Sequence, residues 1–314
     1  MIVPPPPAVT ALCDLAARNG GYVSHAQAAC AGLSESQIRT LVRRGEWQLV
    51  PRGLRLAEAV RADAWRDRLR EALLQAGPAS VVAGHTAAEL HGIVGAPVAA
   101  PIWIAVPRDR HPQRRRGIRV LRTVIAPSEV ELFDGIPSLS ASRAVLDSAR
   151  YGDAVAAVCM MESAVRQKMV CLNELRASIN GIHGQCGSRR ARSAFESIDV
   201  RSESPLETKA RLMLLAAGFP YPELQYPFVP NDPRRIDIAY LAPKGSAYRG
   251  LAIEIDGRAH HAREAAFHAD PRRQTALEEA DWLVRRFTDR HLGDLDYVIR
   301  TVQRALDRVG FASD

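Results

Sequence analysis

The chain has 314 residues, 25% of them charged and 47% hydrophobic, a composition that excludes a disordered polymer and a length that exceeds one ordinary core. Its net charge of +7 rests on arginine, with lysine only at 168, 209 and 244; planar guanidinium donors suit phosphate, so a nucleic-acid partner is expected. The cysteines at 13, 30, 159, 171 and 186 form no CxxC spacing, which excludes a zinc finger or a disulfide frame and predicts reduced, mostly buried thiols in a cytoplasmic protein.

Met1-Ile2-Val3 and the prolines that follow have none of the charged and apolar regions of a signal peptide, and no apolar run reaches membrane-spanning length. No membrane association is expected. A helix from Val9 to Arg18 should stop at Gly20-Gly21. Ser24-His25-Ala26-Gln27 and Ser34-Glu35-Ser36-Gln37 are S-x-x-Q capping boxes that open a second and a third helix, separated by a helix-turn-helix spacing. The third helix should bury Ile38, Leu41 and Val42 and turn Gln37, Arg39, Thr40, Arg43 and Arg44 outward. Trp47 to Val50, a Pro-Arg-Gly turn and Leu54 to Leu56 then make a small hairpin, the wing. Such a helix can reach base edges, while Arg52 and Arg55 can reach phosphates. Basic three-helix stretches also occur without DNA binding, and that alternative stays open.

In Val23-Ser24-His25-Ala26-Gln27-Ala28 and in Leu41 to Gly53 this stretch resembles the winged-helix domain of abortive-infection (AbiEi-type) antitoxins. The resemblance implies binding to operator DNA and repression of the protein's own operon.

Residues 59–200 read as a mixed α/β and helical middle region. Helical segments are predicted from Ala64 to Gln75 and from Val81 to Gly92, a buried strand from Val98 to Val106, and helices from Arg143 to about Ile179. Arginines at 108, 110, 114, 115, 116, 119 and 122 face the single Asp109 and make either a solvated turn or a second phosphate-contacting surface. The stretch Gly135 to Asp147 is similar to the middle of the same antitoxin family but lacks its Thr and Pro near Ser140 and Ser142, so no role carries over. His183 to Arg192 marks a flexible boundary.

In residues 201–314 the informative stretch is Arg235 to Tyr240 followed by Leu251 to Gly257. Both segments have the period-2 pattern of strands. Ile236, Ile238 and Tyr240 should share one face with Leu251, Ile253 and Ile255, leaving Asp237, Glu254 and Asp256 on the other. Opposed positions lie about 5 Å apart. At about 6 Å and an effective dielectric of about 20, each ionised pair repels by roughly 3 kcal/mol. A bound cation, a raised pKa or exposure to water must compensate. Ser204-Pro205-Leu206-Glu207 opens a helix in which Glu207 is an ambiguous residue: a candidate catalytic acid, yet Ser204 at N-cap, Pro205 at N1 and Glu207 at N3 form a capping box that would explain it without catalysis. A strand near Leu224 to Val229 precedes the acidic pair, and a helix after Asp270-Pro271, a strand from Trp282 to Phe287 and an amphipathic helix follow it.

From Ser204 to about Leu292 the order of elements resembles the very short patch repair-like endonucleases of the PD-(D/E)XK superfamily, through Ser204-Pro205-Leu206-Glu207, Ile236-Asp237, Glu254-Ile255-Asp256-Gly257 with His260, and Asp270 followed by Arg273. The resemblance implies Mg²⁺ or Mn²⁺ held by Asp237, Glu254 and the Ile255 carbonyl, hard oxygen donors suited to such ions. It also implies acid–base roles for His260 or His261 and charge stabilisation by Arg273. Asp256 stands where the superfamily has lysine. It could orient water or hold a second metal.

The expectation is therefore an α/β multidomain protein. Residues 1–58 would form a winged helix-turn-helix, 59–200 the mixed middle region and 201–314 a PD-(D/E)XK-like α/β nuclease domain acting on double-stranded DNA. An RNA substrate stays open, since carboxylate-held Mg²⁺ reads no sugar. The alternative is an AbiEi-like antitoxin and transcriptional repressor with a toxin partner and an inert nuclease-fold domain.

Overall fold

The computed structural model describes residues 7–58, 63–97, 101–113, 115–228, 235–257 and 271–311, with the backbone alone at 271–273. The chain is a mixed α/β protein with three sheets. It divides into two compact units, one of residues 1–152 with 173–188, the other of 153–172 with 189–314.

The first unit opens with α1 (Pro7–Arg18), β1 (Tyr22–Ser24), α2 (His25–Cys30), α3 (Glu35–Arg43), β2 (Trp47–Val50) and β3 (Gly53–Leu56). Both predicted capping boxes form: Ser24 and Ser34 accept from the N–H of Gln27 and Gln37, whose side chains bond back to the cap N–H groups. Leu12, Ala16, Val23, Ala28, Ile38, Leu41, Trp47 and Leu54 make the small core that holds the three helices to the sheet. That sheet is antiparallel with order β1-β3-β2, so the expected hairpin carries a third strand.

The same unit continues through α4 (Ala64–Ala76), β4 (Val81–Val82), α5 (Gly84–Leu90), β5 (Ile102–Pro107), β6 (Ile118–Thr123), β7 (Val130–Phe133), β8 (Ile136–Leu139) and α6 (Ala141–Tyr151). The five strands lie in the order β6-β5-β4-β8-β7. Helix was expected from Val81 onward; instead Val81 and Val82 pair with Ala105 and Ile104, and the helix starts only at Gly84. Gly84 has φ +52, and a Cβ there would stand 2.1 Å from Cε3 of the buried Trp103. The close approach of the indole requires glycine at this point.

After α6 come α7 (Ala154–Arg166) of the second unit and α8 (Leu172–Gly181), nearly all of which belongs to the first. The second unit then adds α9 (Ser188–Glu196), α10 (Pro205–Ala216), β9 (Glu223–Pro227), β10 (Arg235–Leu241), β11 (Gly250–Asp256), α11 (Pro271–Glu279), β12 (Trp282–Thr288), α12 (Asp289–Leu292) and α13 (Leu295–Val309). Its sheet runs β12-β11-β10-β9, with β11 and β12 parallel and the other pairs antiparallel. On one face Ile238, Tyr240, Leu251, Ile253 and Ile255 pack with Leu214 of α10 and with Val298, Val302 and Leu306 of α13. On the other, Ile236, Ala239, Ala252 and Trp282 pack with Leu277 of α11.

Ile236 thus departs from its expected face. It pairs with Tyr226, and the next outer pair of the same kind is Ile238 with Leu224, so Gln225 stands opposite Asp237. Gln225 has φ +50, a left-handed conformation that turns the strand at this point. Tyr226 packs beside Ile236 while Leu224 stays with Ile238, so both strands change face there. The thiols differ as well. Cys30, Cys171 and Cys186 are exposed, and only Cys159 is fully buried, where desolvation pushes its pKa up to about 12.

Candidate functional site

The acidic site is built where β10 changes face. Asp237 is half-buried, and its Oδ2 accepts from the Ile255 N–H at 2.7 Å, beyond the last ladder pair, Ile238 with Ile253. A carboxylate therefore replaces the next rung of the ladder and sits against the β11 backbone. Glu254 precedes Ile255 on that strand and is 5% exposed. A carboxylate this buried is costly unless its charge is compensated. Asp256 is exposed at the strand end.

Glu207 is held at the start of α10. Ser204 accepts from the Glu207 N–H at 3.2 Å, half of the expected capping box. The other half is replaced: the Glu207 Oε2 accepts from the Glu203 N–H at 2.8 Å and from the Gln225 amide at 3.0 Å. The Glu207–Gln225 bond thus ties α10 to β9 at the position across from Asp237 in the register, while Asp237 itself bonds to β11. Burial is the main cause of a raised Glu207 pKa, opposed by those hydrogen bonds. Gln225 escapes sequence reasoning because a glutamine in a strand carries no signal of its left-handed backbone.

Among the described residues no group of three or more His, Cys, Asp or Glu side chains is gathered as a metal centre. Asp237 meets the Ile255 N–H, and Glu254 is the preceding residue of that strand; the two carboxylates and the Ile255 carbonyl are hard oxygens and fit Mg²⁺ or Mn²⁺ in kind. His260 and His261 lie outside the described residues, as does Asp270. Arg273 falls in α11, with its side chain outside the description.

In the first unit, Gln37, Arg39, Arg43 and Arg44 are exposed on or just after α3 and Thr40 is half-exposed. Their local bonds are weak or spent. Gln37 uses its Oε1 on the Ser34 N–H at 2.8 Å, Thr40 donates to the Ser36 carbonyl at 2.9 Å and accepts from Arg43, and Arg39 and Arg44 sit 3.6 and 3.8 Å from Glu35 and Glu46. Exposed pairs of this kind contribute little and are readily exchanged for a phosphate. Arg52 is exposed in the turn between β2 and β3, with φ +62, and donates to the Gln75 carbonyl at 3.1 Å. Arg55, expected to reach phosphate, is instead 3% exposed: its guanidinium lies 5.8 Å over the Tyr22 ring and donates to Gln48 on the neighbouring strands.

No family model matches the sequence. Two uncharacterized proteins of Mycobacterium tuberculosis, MT2308 and Rv2248, are each 29% identical over 130 residues, 41% of this chain and 46% of theirs. The chain thus spans about half the length of the curated relatives it matches. The crystal structure of the RV2827C protein of Mycobacterium tuberculosis is similar with a TM-score of 0.38 and 18% identity, over 70% of this chain and 84% of that one. Among the described residues no helix is long and apolar enough to cross a membrane.

Proposed function

We propose that the chain binds double-stranded DNA through its N-terminal residues, as a winged helix, and hydrolyses phosphodiester bonds at the acidic site of a PD-(D/E)XK-like unit. The observation that carries the reading is the seating of Asp237 on the Ile255 N–H beside the buried Glu254. Two carboxylates from adjacent strands and a main-chain carbonyl supply the donor set that phosphodiester hydrolysis uses. Mg²⁺ or Mn²⁺ held by Asp237, Glu254 and the Ile255 carbonyl would polarise the phosphoryl oxygen and make a bound water acidic. Glu207 acts on the site through Gln225, fixing the strand opposite Asp237. The exposed arginines of α3 and Arg52 supply phosphate contacts, and Gln37 keeps its amide N–H donors for a base edge.

The test is incubation of the protein with supercoiled, linear and mismatched DNA, and with RNA, in Mg²⁺ or Mn²⁺, beside Asp237→Asn and Glu254→Gln. Cleavage by the wild type, lost in both variants, is the expected result. One observation favours a second reading: Asp256 stands exposed where the superfamily has its lysine. Under that reading the chain is an operator-binding repressor of antitoxin type with a toxin partner and an inert second unit. Tight, salt-sensitive binding without cutting of any substrate would establish it in place of the nuclease.

A further inference from the structure

Strands β5 and β6 are parallel, from Ile102 beside Ile118 to Pro107 beside Thr123. The chain must therefore run back along the strand through residues 108–117, less than the usual crossover of about a dozen. Strand β6 is the edge of the sheet. On this loop and edge, Arg108, Arg110, Arg115, Arg116, Arg119 and Arg122 are all exposed, and Asp109 is the one acid between positions 108 and 122.

Arg39, Arg44, Arg66, Arg70, Arg143, Arg150, Arg201 and Arg211 each stand within 4 Å of a carboxylate; among the described residues none of these six does. Three of them are held by groups that carry no negative charge. Arg119 lies 4.3 Å over the ring of the buried Trp103, Arg122 donates to His111 Nδ1 at 2.9 Å, and Arg115 donates to Gln113 at 2.8 Å. The guanidinium charge is left uncancelled.

Where the two parallel strands end, Arg108, Arg122 and Thr123 line a cavity of about 440 Å³ that also touches Asp147. Asp147 is already countered by Arg143 at 3.1 Å and Arg150 at 3.6 Å. The charge left over here selects an anion. Between positions 108 and 122 no large apolar side chain is exposed among the described residues, and Val124 just past β6 stands alone, where anchoring on lipid uses an extended apolar face.

We propose that the β5–β6 loop, strand β6 and this cavity form a phosphate-backbone surface for nucleic acid, with the cavity seating one phosphate. The surface goes beyond the acidic site and stands whether or not that site cuts. It reads no bases; its affinity comes from counterion release.

The test is fluorescence anisotropy of the full chain on labelled mixed-sequence duplexes in chelator, across a salt series. The variants are Arg115→Ala/Arg116→Ala, Arg108→Ala/Arg122→Ala and, as reference, Arg39→Ala/Arg43→Ala on α3. Each patch pair should weaken binding roughly tenfold, equally for every duplex sequence, and lower the salt slope by about 1.8, two phosphate contacts' worth. The thermal melt should not move for Arg115→Ala/Arg116→Ala, whose side chains join no ion pair; if Arg108→Ala/Arg122→Ala melts early, the first pair decides. Wild-type affinity and slope in both patch pairs overturn the proposal, with loss confined to the α3 pair leaving the N-terminal reading intact. Loss of binding to phosphatidylserine vesicles in place of duplex overturns it in favour of a lipid surface, and so does a wild type that binds no duplex at low salt.

Discussion

Asp237 does two things that a conservative change can separate. As a hydrogen-bond acceptor it holds the Ile255 N–H; as an anion it supplies a ligand charge. Asparagine keeps an acceptor and removes the charge, so Asp237→Asn should leave the urea midpoint near wild type while cleavage falls by about a hundredfold or more. Asp237→Ala should also lose about 1 kcal/mol of stability, because a buried donor goes unmet. Glu207 behaves differently, since burial raises its pKa above the usual carboxylate range. A carboxyl whose folded pKa is raised contributes stability that is full below its unfolded pKa and lost as pH rises through the folded value. Glu207→Gln, which retains an acceptor for Glu203 and Gln225, should therefore match wild type near pH 4 and become the more stable protein as pH rises. Urea unfolding across that range checks it, and an advantage that shrinks with rising pH would contradict it. The thiols offer a third readout at this scale. Cys30, Cys171 and Cys186 should react with a thiol reagent in the native protein at pH 8, and Cys159, pushed up to about 12, only after unfolding.

Among the elements, α3 depends on its cap. Ser34→Ala removes the acceptor for the Gln37 N–H and frees the Gln37 side chain, and should cost about 1 kcal/mol with a matching fall in duplex binding. Gly84→Ala, at φ +52 against Trp103, should cost about 2 kcal/mol or more, since neither backbone nor indole can yield without the other. Elements with strong local signals were legible in the sequence: the two S-x-x-Q boxes open α2 and α3, and the alternation in β10 and β11 puts Ile238 against Ile253. The rest depended on distant partners. Tyr22 to Ser24 is too short to show a period and becomes a strand only because β3 lies beside it; Val81 and Val82 are claimed by β5. Ile236 sits on the opposite face because of a left-handed Gln225 on the neighbouring strand. Glu207 was ambiguous in sequence for the same reason, since the choice between cap and site turns on where Gln225 lies.

At the scale of the whole molecule, the chain passes between its two units after Gly152, Leu172 and Ser188. The second unit therefore depends on α7, which precedes the rest of it in sequence. Glu162 of α7 and Arg211 of α10 are each 1% exposed and meet at 2.6 Å, with Thr208 and the Asp199 N–H completing the carboxylate's partners. Removing one charge should cost about 3 to 5 kcal/mol by stranding the other, so Arg211→Met and Glu162→Leu should each destabilise strongly and the double variant should recover much of the loss. Equilibrium urea unfolding measures the cycle; additive losses would show that the pair is not coupled.

The same pair limits how this protein could be recombined. A gene exchange that took only the stretch from residue 201 onward would carry Arg211 without Glu162, and would deliver the acidic site on a sheet with a charge buried in its supporting helix. The acidic site is not a cassette. Any lineage or laboratory fusion that borrows it inherits α7 as well, and with α7 comes the intervening segment 173–188 that folds into the other unit.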